Sequence, residues 1–415
     1  MSLLLRGVHV ADGSVADVGC RDGVITDVAA PEVAGRRADA PGPPAYDEVV
    51  DLPGFLLLPA PAEPHAHLDK ALTADLADNP VGDLAGAIVA MRDLMPRQSL
   101  EQTVERATAA ALILLRSGAT AIRTHVDAGP HIGVRGLEAL AVVRERLAGL
   151  VDLQVAVLPG APLTGVAGAE GRAVLRDALA LADVVGGCPH IDPDPLACQA
   201  FCYELAGEAG LPLDLHTDET LDPAALHLAA LPDLVEAGGL GAGVTASHCV
   251  SLGMQPLEVQ RRVAGRLAAT GIGVITLPQT NLFLQARGQT CAPPRGLTAI
   301  GALRTAGVAL GAGGDNLRDP FNVVGRGDPL EIAALLVAAG HLRPADAYEL
   351  VSGGARGVMG LPAVRVEPGS PAELLAVRAA GVGEAVAGGP AERVVVHAGR
   401  VVARTQVTTW VAGAA

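Results

Sequence analysis

The chain has 415 residues, half of them apolar and only 2% aromatic, with a formal net charge of −15. That acidity, without any cluster of Lys or Arg, argues against a nucleic-acid backbone or an anionic membrane as partner and leaves small solutes. No apolar run approaches the ~20 residues of a spanning helix, and Met1-Ser-Leu-Leu-Leu-Arg6 lacks the charged leader of a signal peptide, so a cytoplasmic protein is expected. The six cysteines form no Cys-x-x-Cys pair or regular framework, which reads as reduced thiols.

In chain order, residues 3–10 read as a strand followed by the hairpin signal Ala11-Asp-Gly-Ser14, and Asp22-Gly-Val-Ile-Thr-Asp-Val28 as a further strand. The Pro/Gly-rich stretch 40–45 reads as a loop. The far end has the same character, at Ala372-Glu-Leu-Leu-Ala-Val377 and at 393–403 with a turn at Gly399. Neither end buries a core alone, so residues 1–57 and 365–415 are expected to pair as a small discontinuous β-sandwich around an insert, 58–364.

The insert alternates apolar runs with helical patterns. The run Phe55-Leu-Leu-Leu-Pro59 reads as its first strand, with His65 and His67 at or just past the carboxyl end. Strands are then expected at 119–127, 151–158, 184–188, 212–216, 244–248, 272–277 and 308–312, separated by helices at 100–118, 136–147, 172–181, 195–209, 223–237, 256–270 and 299–306, with a last helix at 329–339. Eight β/α units in series predict a closed (β/α)8 barrel. An open doubly wound sheet would need a Gly-rich dinucleotide turn after its first strand, and none is present.

Barrel enzymes carry their chemistry at the carboxyl ends of the strands. Those ends supply His65, His67, His125, Asp127, His190, His216, His248 and Asp315, with Gln154 inside the third strand. Residues two apart on an extended chain point the same way, so His65 and His67 can reach one ion. With His216 and Asp315 they make three imidazoles and a carboxylate, a set that suits one divalent Zn or Fe and leaves a position for water. Such an ion lowers the pKa of its water from about 15.7 to about 7. Glu219, three residues past His216, is the candidate proton carrier, with Asp218 as its rival. His248 is placed to hydrogen-bond the attacking water or the oxyanion.

Glu63-Pro-His-Ala-His-Leu-Asp69, Arg123-Thr-His-Val-Asp127, Asp152-Leu-Gln154, His216-Thr-Asp-Glu219, Val244-Thr-Ala-Ser-His248, Asn281-Leu-Phe-Leu-Gln285 and Gly314-Asp-Asn-Leu-Arg-Asp-Pro-Phe321 resemble the cytosine deaminase branch of the metal-dependent amidohydrolases, over nearly the full length. The resemblance implies a barrel with a small β-sandwich, one zinc or iron, a symmetric homo-oligomer and hydrolytic loss of an amino group from a nucleobase-like ring. It implies His65, His67, His216 and Asp315 as metal ligands, Glu219 as proton shuttle, His248 as catalytic histidine, and Gln154 as a hydrogen-bonding partner of the ring. Relatives that bridge two metals use a lysine on the fourth strand; Val184-Val-Gly-Gly-Cys188 has none, so one metal is expected.

Four positions depart from the cytosine deaminase pattern. Asn316 stands for a second aspartate, Phe321 for a tryptophan, Gly314 for a histidine and Lys70 for a threonine. Asn316, Phe321 and Lys70 are therefore expected at the substrate. Cytosine, isocytosine or a related aminopyrimidine suits this machinery. The alternatives are a cyclic amide, a creatinine-like ring or an N-alkyl aminotriazine, and a barrel that only binds metal or ligand.

Overall fold

A computed structural model describes residues 1–31 and 46–412; the expected loop at 40–45 lies outside the described residues. The N-terminal segment forms β1 (Ser2–His9), β2 (Val15–Arg21), β3 (Val24–Ala29), β4 (Glu48–Asp51) and β5 (Leu56–Pro59). The barrel strands are β6 (Ala62–Ala66), β7 (Ala121–Ala128), β8 (Asp152–Pro159), β9 (Val184–Gly187), β10 (Leu213–Thr217), β11 (Val244–His248), β12 (Gly273–Thr276) and β13 (Leu310–Ala312). The chain closes with β14 (Leu374–Val377), β15 (Arg393–His397) and β16 (Arg400–Thr405).

Strands β6 to β13 pair in parallel in sequence order. A parallel bridge between Ala66 and Asp315 closes the ring, and buried Glu63 clamps the seam by accepting from the Gly314 amide at 2.9 Å. This is a (β/α)8 barrel. The two chain ends form a second sheet in the order β16-β15-β14-β5-β1-β2-β3, with β4 on β1, joined across the insert where β14 runs antiparallel to β5.

One expectation is corrected. The apolar run at 55–59 is a strand, but it belongs to the terminal sheet, and the first barrel strand is Ala62-Glu-Pro-His-Ala66. Alternation explains the confusion. Phe55 and Leu57 enter the core of the terminal sheet, whereas Leu56 and Leu58 enter the barrel's core, so β5 is apolar on both faces. Strand β6 instead turns the polar Glu63 and His65 into the barrel, which hides it from an apolar-run search. Two helical readings also shift. The helix expected from 223 begins as a 3₁₀ turn at His227 and becomes α-helical only at Leu231–Ala237. A helix at Leu84–Leu94, capped by Asp83 on the Gly86 amide, was not foreseen.

Candidate active site

The site follows from side-chain alternation on inward-facing strands. On β10, Leu213 and Leu215 join the outer core while Asp214 and His216 turn inward; on β7, Ile122 and Val126 face out while Arg123, His125 and Asp127 face in. Past the strands the backbone turns sharply. Asp218, His248 and Asp315 have φ of 50°, 66° and 66°, a left-handed region that non-glycine residues rarely occupy and that recurs at functional sites.

Four predicted residues meet at one point. His216 Nε2 lies 3.1 Å from His65 Nε2 and 3.2 Å from His67 Nε2, and Asp315 Oδ1 lies 3.2 Å from His67 Nε2 and 3.7 Å from His65 Nε2. Ligands held at 2.0–2.1 Å around a tetrahedral zinc are roughly 3.3 Å apart, so the donor set fits one such ion. Burial lowers the pKa of all three imidazoles well below the usual value, which keeps them neutral with lone pairs to offer. Burial, with the Glu219 charge next, pushes the Asp315 carboxyl well up. Both its oxygens are buried without a hydrogen-bond donor, a cost that a cation in their midst removes.

Glu219 and His248 stand beside this cluster. Glu219 Oε1 is 3.3 Å from His248 Nδ1, and burial pushes its carboxyl up to about 8. Asn281 Nδ2 donates to Glu219 Oε1 at 3.5 Å and lies 3.1 Å from His248 Nδ1. An amide nitrogen only donates, so Asn281 fits a His248 protonated at Nε2, and Glu219 Oε1 on the same Nδ1 fits that tautomer as the protonated acid. His248 Nε2 sits 4.0 Å from Asp315 Oδ2. Asp218 faces elsewhere: its carboxylate accepts from His227 Nδ1 at 2.7 Å and the Leu228 amide at 2.8 Å, holding the loop after β10.

Beneath the cluster runs a buried relay that residue-by-residue reading missed. His65 Nδ1 is 3.0 Å from Ser247 Oγ, Ser247 donates to Asp214 Oδ1 at 2.8 Å, and Arg123 Nη1 donates to Asp214 Oδ2 at 2.8 Å. The serine is thus an acceptor for His65 Nδ1–H, which leaves the Nε2 lone pair facing the cluster, free to bind an ion. His67 is set likewise, its Nδ1 facing the His125 carbonyl at 3.2 Å. The His125 ring stacks 4.1 Å from that of His65, below the cluster, and His190 Nδ1 meets the His216 carbonyl at 3.3 Å. Asp214 two residues before His216, and Ser247 on the neighbouring strand, were the available signals.

A cavity of about 560 Å³ opens above the cluster. His67, His216, Glu219, His248 and Asp315 line its floor, and Lys70, Asp127 and Asn316 line it beside them. Ile88, Met91 and Met95 from the unforeseen helical segment, with Ile132 and Phe321, make an apolar wall. Asn316 is steered by donating to Asp319 Oδ2 at 2.9 Å. Gln154 is a correction: it does not line the cavity. It precedes Pro159, the last residue of β8, by five positions, roughly 16 Å of extended chain. Its amide is used there, accepting from Arg123 Nε at 3.0 Å and donating to the Met359 carbonyl at 3.2 Å.

A barrel with three imidazoles and a carboxylate converging at its strand ends defines a metal-dependent hydrolase. The chain belongs to the amidohydrolase family, whose model matches residues 101–415, and is a hydrolase. It is similar to a pterin deaminase of Rhizobium rhizogenes, 32% identical over 397 residues, which are 94% of this chain and 88% of that protein. The crystal structure of 5-methylcytosine deaminase from Klebsiella pneumoniae with phosphonocytosine superposes with a TM-score of 0.87 at 27% identity, covering 99% of this chain and 100% of that one. N-isopropylammelide isopropylaminohydrolase from Burkholderia multivorans superposes with a TM-score of 0.80 at 28% identity, covering 97% and 98%. Among the described residues, no helix is long and apolar enough to cross a membrane.

Proposed function

We propose that this chain is a hydrolytic deaminase of a nucleobase-like ring, using one divalent zinc or iron ion held by His65, His67, His216 and Asp315. The convergence of those four donor groups beside a buried, uncharged-leaning Glu219 carries the reading. When bound, the ion supplies a polarised and acidified water. Glu219, as the carboxylate, would take a proton from the attacking water and hand it to the ring nitrogen beside the amine-bearing carbon, which makes the carbon electrophilic. A carboxyl that titrates near neutrality is suited to both halves of that transfer. His248, donating from Nε2, orients the attacking oxygen and supports the negative charge that develops on it. Glu219 then takes the second proton, from the hydroxyl newly joined to that carbon, and gives it to the departing amine, which leaves as ammonia while the ring keeps a C=O beside its new N–H.

The cavity favours a substrate wider than a single pyrimidine. Its volume of about 560 Å³ and the apolar wall of Met91, Met95 and Phe321 suit a bicyclic ring, and the pterin deaminase relative supports the same class. Pterin is therefore the favoured substrate, with 5-methylcytosine, isocytosine and cytosine as smaller rings on the same machinery. Release of an alkylamine from an aminotriazine is the second reading, favoured by the likeness to the N-isopropylammelide enzyme. Incubating metal-loaded protein with pterin, the three pyrimidines and N-isopropylammelide separates them. Ammonia from the amino-rings supports deamination, isopropylamine alone supports the second reading, and neither product overturns both.

A further inference from the structure

The cavity wall beside His67 carries an ion pair that the proton-transfer steps leave unused. Lys70 Nζ lies 2.5 Å from Asp127 Oδ1, with the lysine side chain 4% exposed and the aspartate 29%. Both residues line the cavity. The aspartate is held from behind, its backbone amide donating to Asp69 Oδ2 at 2.9 Å. Burial opposes the lysine's charge, but Asp127, Asp69 and Asp319 together override it.

Counting donors and acceptors shows what is left over. An ammonium has three N–H groups and a carboxylate two oxygens. One N–H of Lys70 goes to Asp127 Oδ1. The other near neighbour, His67 Nδ1 at 3.3 Å, is a donor to the His125 carbonyl whenever Nε2 is the ligand atom, so it takes nothing from Lys70. Asp127 Oδ2 receives no hydrogen bond from another described residue. A spare donor and a spare acceptor therefore stand side by side on one wall. Their complement is a lactam edge, a ring C=O next to a ring N–H.

We infer that Lys70 and Asp127 are the specificity-determining pair that binds the lactam edge of the substrate, Lys70 donating to the C=O and Asp127 accepting from the N–H. This rests on the deaminase reading and narrows it to aminated rings that also carry a lactam, as pterin, isocytosine and cytosine do. Rings without one, such as 2-aminopyrimidine, are poor substrates. A site built to hydrogen-bond a polar group rejects analogues that lack it, because its own buried groups are then left unpaired.

The test is equilibrium binding to metal-loaded protein of lumazine and uracil, lactams without an exocyclic amine, against their 1,3-dimethyl forms. Wild type binds the unmethylated rings at least 10-fold more tightly. Asp127→Ala and Lys70→Met weaken lumazine at least 10-fold, and Asp127→Ala loses the preference over the methylated ring. A residue that only supports the fold would weaken all four ligands alike. Equal binding of methylated and unmethylated rings by wild type, no binding of either lactam, or a preference retained by Asp127→Ala overturns the proposal, the first two without needing any variant to fold. Ammonia release by wild type is scored separately. Discrimination without ammonia sinks the deaminase reading alone, and ammonia without discrimination sinks only the lactam pair.

Discussion

Glu219 Oε1 and His248 Nδ1 stand 3.3 Å apart, and Asn281 is within hydrogen-bond reach of both. In the proposed mechanism this contact joins the proton carrier to the residue that faces the attacking oxygen, so a change in one is felt by the other. Replacing Glu219 with Gln keeps the shape and removes the proton. Turnover is expected to fall by about 10²–10⁴, the usual contribution of a general acid–base group. Metal content stays at the wild-type level, because Glu219 is not among the four converging donors. Near-normal ammonia release from that variant would remove Glu219 from its role.

Ser247 reaches His65 Nδ1 at 3.0 Å and is itself tied to Asp214 at 2.8 Å. Replacing Ser247 with Ala removes the acceptor that fixes the ligand tautomer, and replacing Asp214 with Asn weakens the same line while leaving Arg123 without its carboxylate. Losses of such outer partners typically cost about 10–100-fold in metal affinity. The measurement is competition with a chelator of known strength, with thermal melting of the metal-free proteins as a check on folding. Unchanged affinity in Ser247→Ala would make the relay purely structural.

How much of this was readable in advance depends on which residues carry the signal. His216 lies near the end of an alternating strand and His65 stands two residues from a second histidine, so local pattern marks them, and strand-end placement brings in Asp315 and His248. Gln154 misled because the sequence gives its strand but not its depth, and depth decides between the cavity and the barrel interior. Strand β6 was obscured for a related reason: its inward residues are polar, so the apolar run beside it, buried on two faces, drew the assignment. Lys70 and Asp127 are 57 residues apart, and only the register of β6 against β7 brings them together.

Removing the metal should cost stability as well as activity. Three imidazoles with facing nitrogens and an Asp315 carboxyl without hydrogen-bond donors are poorly satisfied among themselves. A bound ion at a hundred times its dissociation constant adds about 2.7 kcal/mol to the folded state. Chelation is therefore expected to abolish ammonia release and lower Tm by several degrees, with both restored by zinc or ferrous iron. Replacing His67 with Ala should mimic the chelated protein and gain nothing from added metal. A chelated enzyme that keeps its activity and Tm would contradict the metal centre.

The Glu373–His397 pair should give the small sheet its own pH signature. Glu373 Oε2 meets His397 Nδ1 at 2.9 Å, and Oε1 accepts from the Ala398 amide at 2.8 Å, tying the β15–β16 turn to the start of β14. Burial opposes both charges, but the hydrogen bond overrides it in each case, raising His397 above 6.5 and lowering Glu373 below 4.5. A histidine raised in the folded state adds stability that is complete below its unfolded pKa and is lost as pH rises through the folded one. A carboxyl lowered in the folded state adds stability that is complete above its unfolded pKa and is lost as pH falls through the folded one. The pair is therefore strongest between about 4.5 and 6.5. Replacing His397 with Gln should destabilise the protein by on the order of 1–3 kcal/mol in that window and by less at pH 9. Thermal melts of wild type and variant at pH 5.5 and pH 9 measure the difference, and an equal gap at both would assign the pair no charge of its own.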